Sequence, residues 1–132
     1  MDDMGVLYTD VLVESPLRRG AGERLPRVLV DTGAELSWVP APVLERLGVV
    51  REKEARSFYM ADYMADGQPL TRDVGFAILH AGGEFTIDEV VFAEPGDLTL
   101  LGARTLEGLN LRVDLVAKRL VAAGPMLAAA AA

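Results

Sequence analysis

The sequence predicts a predominantly β domain closed on itself, and three observations carry that expectation. Short apolar runs of strand length recur along the chain, two of them joined by hairpin-type turns; only two short helical patterns are present; and there is no long amphipathic helix. At 132 residues the chain fits one domain with a real core. The domain is expected over residues 1–123, followed by a low-complexity tail over 124–132 that contains five consecutive alanines.

Taken in order, Gly5 to Val13 mixes alternation with continuous apolar residues, the pattern of a strand with one well-buried face. Glu14 to Leu25 collects Pro16, three arginines and two glycines and reads as an exposed loop. Its Gly-Ala-Gly has no third glycine at dinucleotide-fingerprint spacing and no helix after it. Val28 to Val30 is a branched apolar strand that runs into Asp31-Thr32-Gly33. Pro40 and Pro42 then introduce a short helix over Val43 to Leu47, with Gly48 placed to end it.

Val49 to Asp62 reads as mainly extended, charged at first and then aromatic. Asp66-Gly67 signals a hairpin, and Ala81-Gly82-Gly83 signals a second one joining Val74–His80 to Glu84–Phe92. Glu94 to Asp97 is a turn cluster. Leu98 to Gly102 is a buried apolar run ending in glycine, Ala103 to Leu109 suits one or two helical turns, and two strands follow at Leu111–Leu115 and Arg119–Ala122.

Composition narrows the function. Twenty acidic against thirteen basic residues give a net charge of −7, which argues against nucleic acid and acidic membrane surfaces as partners. Apolar runs are too short to span a bilayer, and the acidic start Met1-Asp2-Asp3-Met4 lacks the features of a secretory signal, so a cytoplasmic location is expected. The absence of cysteine excludes disulfides, thiolate nucleophiles and cysteine-bound zinc. His80 is the one histidine and reads as a core or surface residue, since no second histidine stands at metal-ligand spacing. No Gly-x-Ser-x-Gly elbow accompanies Ser15, Ser37 or Ser57.

An acid at the end of a buried strand is costly unless it is hydrogen-bonded, paired or used in chemistry, which singles out Asp31. A plain turn is the bland alternative, because Asp, Thr and Gly each favour turns for local reasons. Apolar residues on both sides, Val28 to Val30 and Leu36 to Val39, weigh against it.

The run Val28-Leu29-Val30-Asp31-Thr32-Gly33-Ala34 resembles the active-site loop of aspartic peptidases, and Leu100-Leu101-Gly102 resembles their second motif of two hydrophobic residues and a glycine. The order of elements from Gly5 to Ala122 is similar to the single-lobe retropepsin type. That resemblance implies an all-β, retropepsin-like closed barrel with one or two short helices, acting as a homodimer on a peptide or protein substrate, with no cofactor and no metal. It implies Asp31, Thr32 and Gly33 as the catalytic loop and Leu100, Leu101 and Gly102 as its structural support. Ala34 and Glu35 would bind substrate beneath a flap formed by Tyr63, Met64, Ala65, Asp66, Gly67 and Gln68, the hairpin at Ala81-Gly82-Gly83 being the alternative flap.

Trp38-Val39-Pro40 is similar to the run that follows the catalytic Asp in pepsins, where the tryptophan contacts a flap tyrosine; Tyr63 is the counterpart here. The chain departs from the retropepsin pattern at Glu35, where the family has Asp, and at Ala103, where it has Arg. Arg104 stands one place later, within possible reach of Glu35. With a single Asp-Thr-Gly per chain, two chains are needed to supply the two carboxylates of the chemistry. The alternative function is a catalytically silent dimerisation or peptide-binding module on the same fold.

Overall fold

A computed structural model describes residues 6–56 and 70–125. Among these residues nine strands and two short helices follow one another as β1 (Leu7–Glu14), β2 (Glu23–Val30), β3 (Ser37–Pro40), α1 (Ala41–Leu47), β4 (Lys53–Arg56), β5 (Thr71–Ala81), β6 (Glu84–Ala93), β7 (Leu100–Leu101), α2 (Ala103–Gly108), β8 (Leu111–Asp114) and β9 (Arg119–Ala122). Seven strands form one sheet in the order β1-β2-β7-β3-β6-β5-β4, and β1 also pairs with β5. The sheet therefore returns on itself as a ring of strands, while β8 and β9 make a separate two-stranded ribbon. No helix among the described residues is long and apolar enough to cross a membrane.

Side-chain alternation explains where the core sits. On β5, Ala77, Leu79 and Ala81 face inward with Val90 and Phe92 of β6, and they meet Val11 and Val13 of β1 and Val28 and Val30 of β2. Helix α1 covers the ring with Val43, Leu44 and Leu47, one face of its two turns. Pro42 suits its first turn, and Gly48 ends it at φ +80° with its N–H directed to the Glu45 and Leu44 carbonyls. Gly75 is required by close approach: a Cβ there would lie 2.3 Å from the Val50 carbonyl oxygen.

Several boundaries differ from the sequence expectation. The stretch Glu14–Leu25 is not all exposed loop, since Glu14 and Ser15 are buried and β2 already begins at Glu23. The reason is a bulge: pairing passes from Thr9↔Val28 to Val11↔Leu25, so β2 accommodates one extra residue where Pro26 cannot donate and Arg27 adopts φ +57°. Asp10 anchors that bulge, accepting hydrogen bonds from the Arg27 backbone N–H and the Arg24 guanidinium. Ser37 to Pro40 is a strand, α1 starts two residues earlier than expected, and Leu98 is 62% exposed rather than part of a buried run. The Asp66-Gly67 hairpin lies outside the described residues.

His80 lies at the β1–β5 seam. Its Nε2 is 2.5 Å from the buried Glu14 carboxylate, and its ring stacks at a tilt on Phe85. The Gly20 backbone N–H, the His80 ring and the Arg19 guanidinium hold the Glu14 carboxyl below the usual carboxylate range.

Candidate active site

The loop carrying Asp31 is fixed by the strand that passes between its two arms. β7 pairs in parallel with β2, Leu29↔Leu100 and Val30↔Leu101, and antiparallel with β3, Trp38↔Leu100. So β2 enters the loop, β3 leaves it, and β7 fills the space between them. The Asp31 N–H donates to the Leu101 carbonyl at 2.9 Å, the Ala103 N–H to the Ala34 carbonyl at 2.7 Å and the Arg104 N–H to the Glu35 carbonyl at 3.1 Å. Each end of the loop is thereby hydrogen-bonded to the Leu100-Leu101-Gly102 segment or to the helix that follows it.

Gly102 explains why the second motif ends in glycine. A Cβ at that position would lie 2.5 Å from the Leu36 carbonyl oxygen and 2.9 Å from that of Glu35, both backbone atoms. Its φ of −93° is open to any residue, so the requirement is close approach and not conformation. The Gly102 N–H donates to Ser37 Oγ at 2.9 Å, Ser37 Oγ and Thr105 Oγ1 are 2.6 Å apart, and Thr105 donates to Asp88 Oδ2 at 3.0 Å. Because the Thr105 proton goes to Asp88, Ser37 donates to Thr105. The result is a one-way chain from a backbone N–H through two hydroxyls, 1% and 0% exposed, to a carboxylate.

Within the loop, the Gly33 N–H donates to Asp31 Oδ1 at 2.9 Å and the Ala34 N–H to the Asp31 carbonyl at 3.2 Å. One Asp31 oxygen is thus oriented by the backbone of its own loop, and the half-buried side chain opens into a groove of about 780 Å³. Lys53, Val74, Trp38 and Leu100 line this groove from one register row across β4, β5, β3 and β7, with Val91 of β6 buried in the same row. Leu36, Leu70 and Leu98 add apolar wall, and Gly33, Ala34 and Glu35 form the rim beside Asp31.

Of the residues singled out from the sequence, Asp31, Gly33, Ala34, Glu35 and Leu100 line this groove together. Leu101 is buried in the core behind them. Thr32 is exposed and faces away, bordering a separate hollow of about 350 Å³ with Leu7, Val30, Val113 and Leu115. Tyr63, Met64, Ala65, Asp66, Gly67 and Gln68, and with them the expected Trp38–Tyr63 contact, lie outside the described residues.

The Arg104 side chain does not close onto Glu35. It pairs instead with Glu89 at 3.3 Å and approaches Asp88 at 3.9 Å, and only its backbone meets Glu35. Lys53 reaches the same Glu89 carboxylate at 2.6 Å. These groove residues were missed from sequence because β4, β6 and α2 are far apart along the chain, although the alternation on β4 and β6 contained the signal that Lys53 and Glu89 share a face. At the groove's far rim Arg72 grips Asp97 with two bonds of 2.7 and 3.0 Å. Arg72 and the Glu94 backbone N–H hold the Asp97 carboxyl below its ordinary value.

Among the described residues, no group of three or more histidines, cysteines and carboxylates is placed to hold a metal ion. Chemically the arrangement offers a half-buried carboxylate in a groove that mixes apolar and charged side chains. No known family model and no curated protein matches the chain.

Proposed function

We propose that the protein is an aspartic endopeptidase whose active site is completed by the Asp31 carboxylates of two chains. The observation that supports this reading best is the loop architecture: Asp31 stands in an Asp-Thr-Gly loop laced to Leu100-Leu101-Gly102 and opens into a groove of about 780 Å³. Two carboxylates brought close together share one proton. The ionised one takes a proton from a water held between them, the water attacks the scissile carbonyl, and the protonated one hydrogen-bonds the developing oxyanion; the tetrahedral intermediate then collapses, the C–N bond breaks, and the leaving amine takes the proton that came from the water. A two-fold axis beside Asp31 makes this an isologous site. In this reading the exposed Thr32 hydroxyl bonds across that axis to the partner loop. Gly33 and Ala34 then present backbone to the substrate.

A silent peptide-binding or dimerisation module is the second reading, favoured by one observation: Arg104 pairs with Glu89, and among the described residues the Glu35 side chain has no ion pair. Purified protein incubated with extended apolar peptides at mildly acidic pH separates the two. Cleavage by the wild type that Asp31→Asn abolishes, with fold and dimer mass unchanged, supports the peptidase; cleavage that survives Asp31→Asn refutes it.

A further inference from the structure

The charges along the groove are unevenly matched. The two cations that line it among the described residues, Lys53 and Arg104, both pair with the single carboxylate of Glu89. Asp97 is committed to Arg72. Asp31, Glu35 and Glu54 line the same groove, and no arginine, lysine or histidine among the described residues lies within ion-pair distance of them. These carboxylates do not converge as a metal-binding group, so a single bound cation does not account for them. They share this space with the apolar side chains of Leu36, Trp38 and Leu98.

We infer that the groove selects extended peptides carrying lysine or arginine beside an apolar residue, with Glu35 and Glu54 as the residues that set this preference. The inference rests on reading the groove as the peptide site. An apolar side chain covers the floor around Trp38, and a cationic side chain a residue or more away reaches a rim carboxylate that has no partner of its own. An acidic peptide meets uncompensated negative charge instead, since both groove cations are already engaged. The net charge of −7 adds a long-range attraction for the same class of ligand.

The test is fluorescence anisotropy of labelled decapeptides of one apolar centre, flanked by Lys, by Gln or by Glu, titrated with the Asp31→Asn protein so that no turnover intervenes. The Lys peptide is expected to bind roughly five- to tenfold more tightly than the Gln peptide at low salt, with the advantage shrinking in ~0.5 M salt. Glu35→Gln and Glu54→Gln should each remove about two- to threefold of it. Glu107→Gln, an exposed charge outside the groove, should remove none. Equal binding of the three peptides, binding of none, or a preference that survives the double substitution of Glu35 and Glu54 overturns the inference. A parallel cleavage assay with wild type keeps the two ideas apart. Lysine preference in binding without any cleavage supports the inference and refutes the peptidase, whereas cleavage indifferent to flanking charge does the reverse.

Discussion

Replacing Gly102 by alanine adds one methyl group where the backbone of the Asp31 loop already lies. The new carbon would be 2.5 Å from the Leu36 carbonyl oxygen and 2.6 Å from its carbon, about 0.9 Å short of ordinary contact. No flexible side chain can yield there, so either β7 or the Glu35-Leu36 backbone must move. Overpacking of this kind costs about 1–3 kcal/mol of stability. The hydrogen bonds from Ala103 to Ala34 and from Arg104 to Glu35 are the ones stretched. A displacement near 1 Å in a loop that aims the catalytic carboxylate lowers kcat by about 100-fold in the peptidase reading. Urea unfolding of wild type and Gly102→Ala measures the first effect, and cleavage of a neutral apolar peptide the second. Unchanged stability would refute the backbone-to-backbone contact. Lost stability with full activity would refute the claim that this contact positions Asp31.

Ser37→Ala removes the middle of the buried hydroxyl chain, leaving the Gly102 N–H without its acceptor, and should cost about 1–3 kcal/mol in urea unfolding. A loss below ~0.5 kcal/mol would mean that the chain contributes nothing net. The Asp97 carboxyl, held below its ordinary value of 3.8 chiefly by Arg72, contributes stability that is present above pH 3.8 and lost as the pH falls through its lower folded value. The thermal unfolding temperature should therefore fall below about pH 4. Asp97→Asn should lower stability at neutral pH and flatten that acid limb; an acid limb of unchanged slope would remove Asp97 from the account.

Features written in a few adjacent residues were legible before the structure. The hairpin at Gly82-Gly83 and the Gly48 stop of α1 depend on local chemistry and lie where the sequence puts them, and Leu100-Leu101-Gly102 runs beside the Asp31-Thr32-Gly33 loop. β2 was half hidden because Pro26 and Arg27 interrupt its alternation, and the bulge that absorbs them is defined by the partner strand. The groove charges were hidden for a different reason. Lys53, Glu89 and Arg104 meet only because β4, β6 and α2 are brought together by the closed ring, and proximity to a motif suggested Glu35 as the partner of Arg104 instead. Which carboxylate an arginine pairs with depends on a distance that sequence separation does not encode.

The central claim, that each chain carries half of an active site, is tested most directly by co-refolding wild type with Asp31→Asn in equal amounts and measuring peptide cleavage per total protein. Random pairing leaves about one dimer in four with two intact carboxylates, so activity should fall to about a quarter of the all-wild-type value. Activity at half that value, proportional to the wild-type fraction, would show that each chain works alone and would contradict the account.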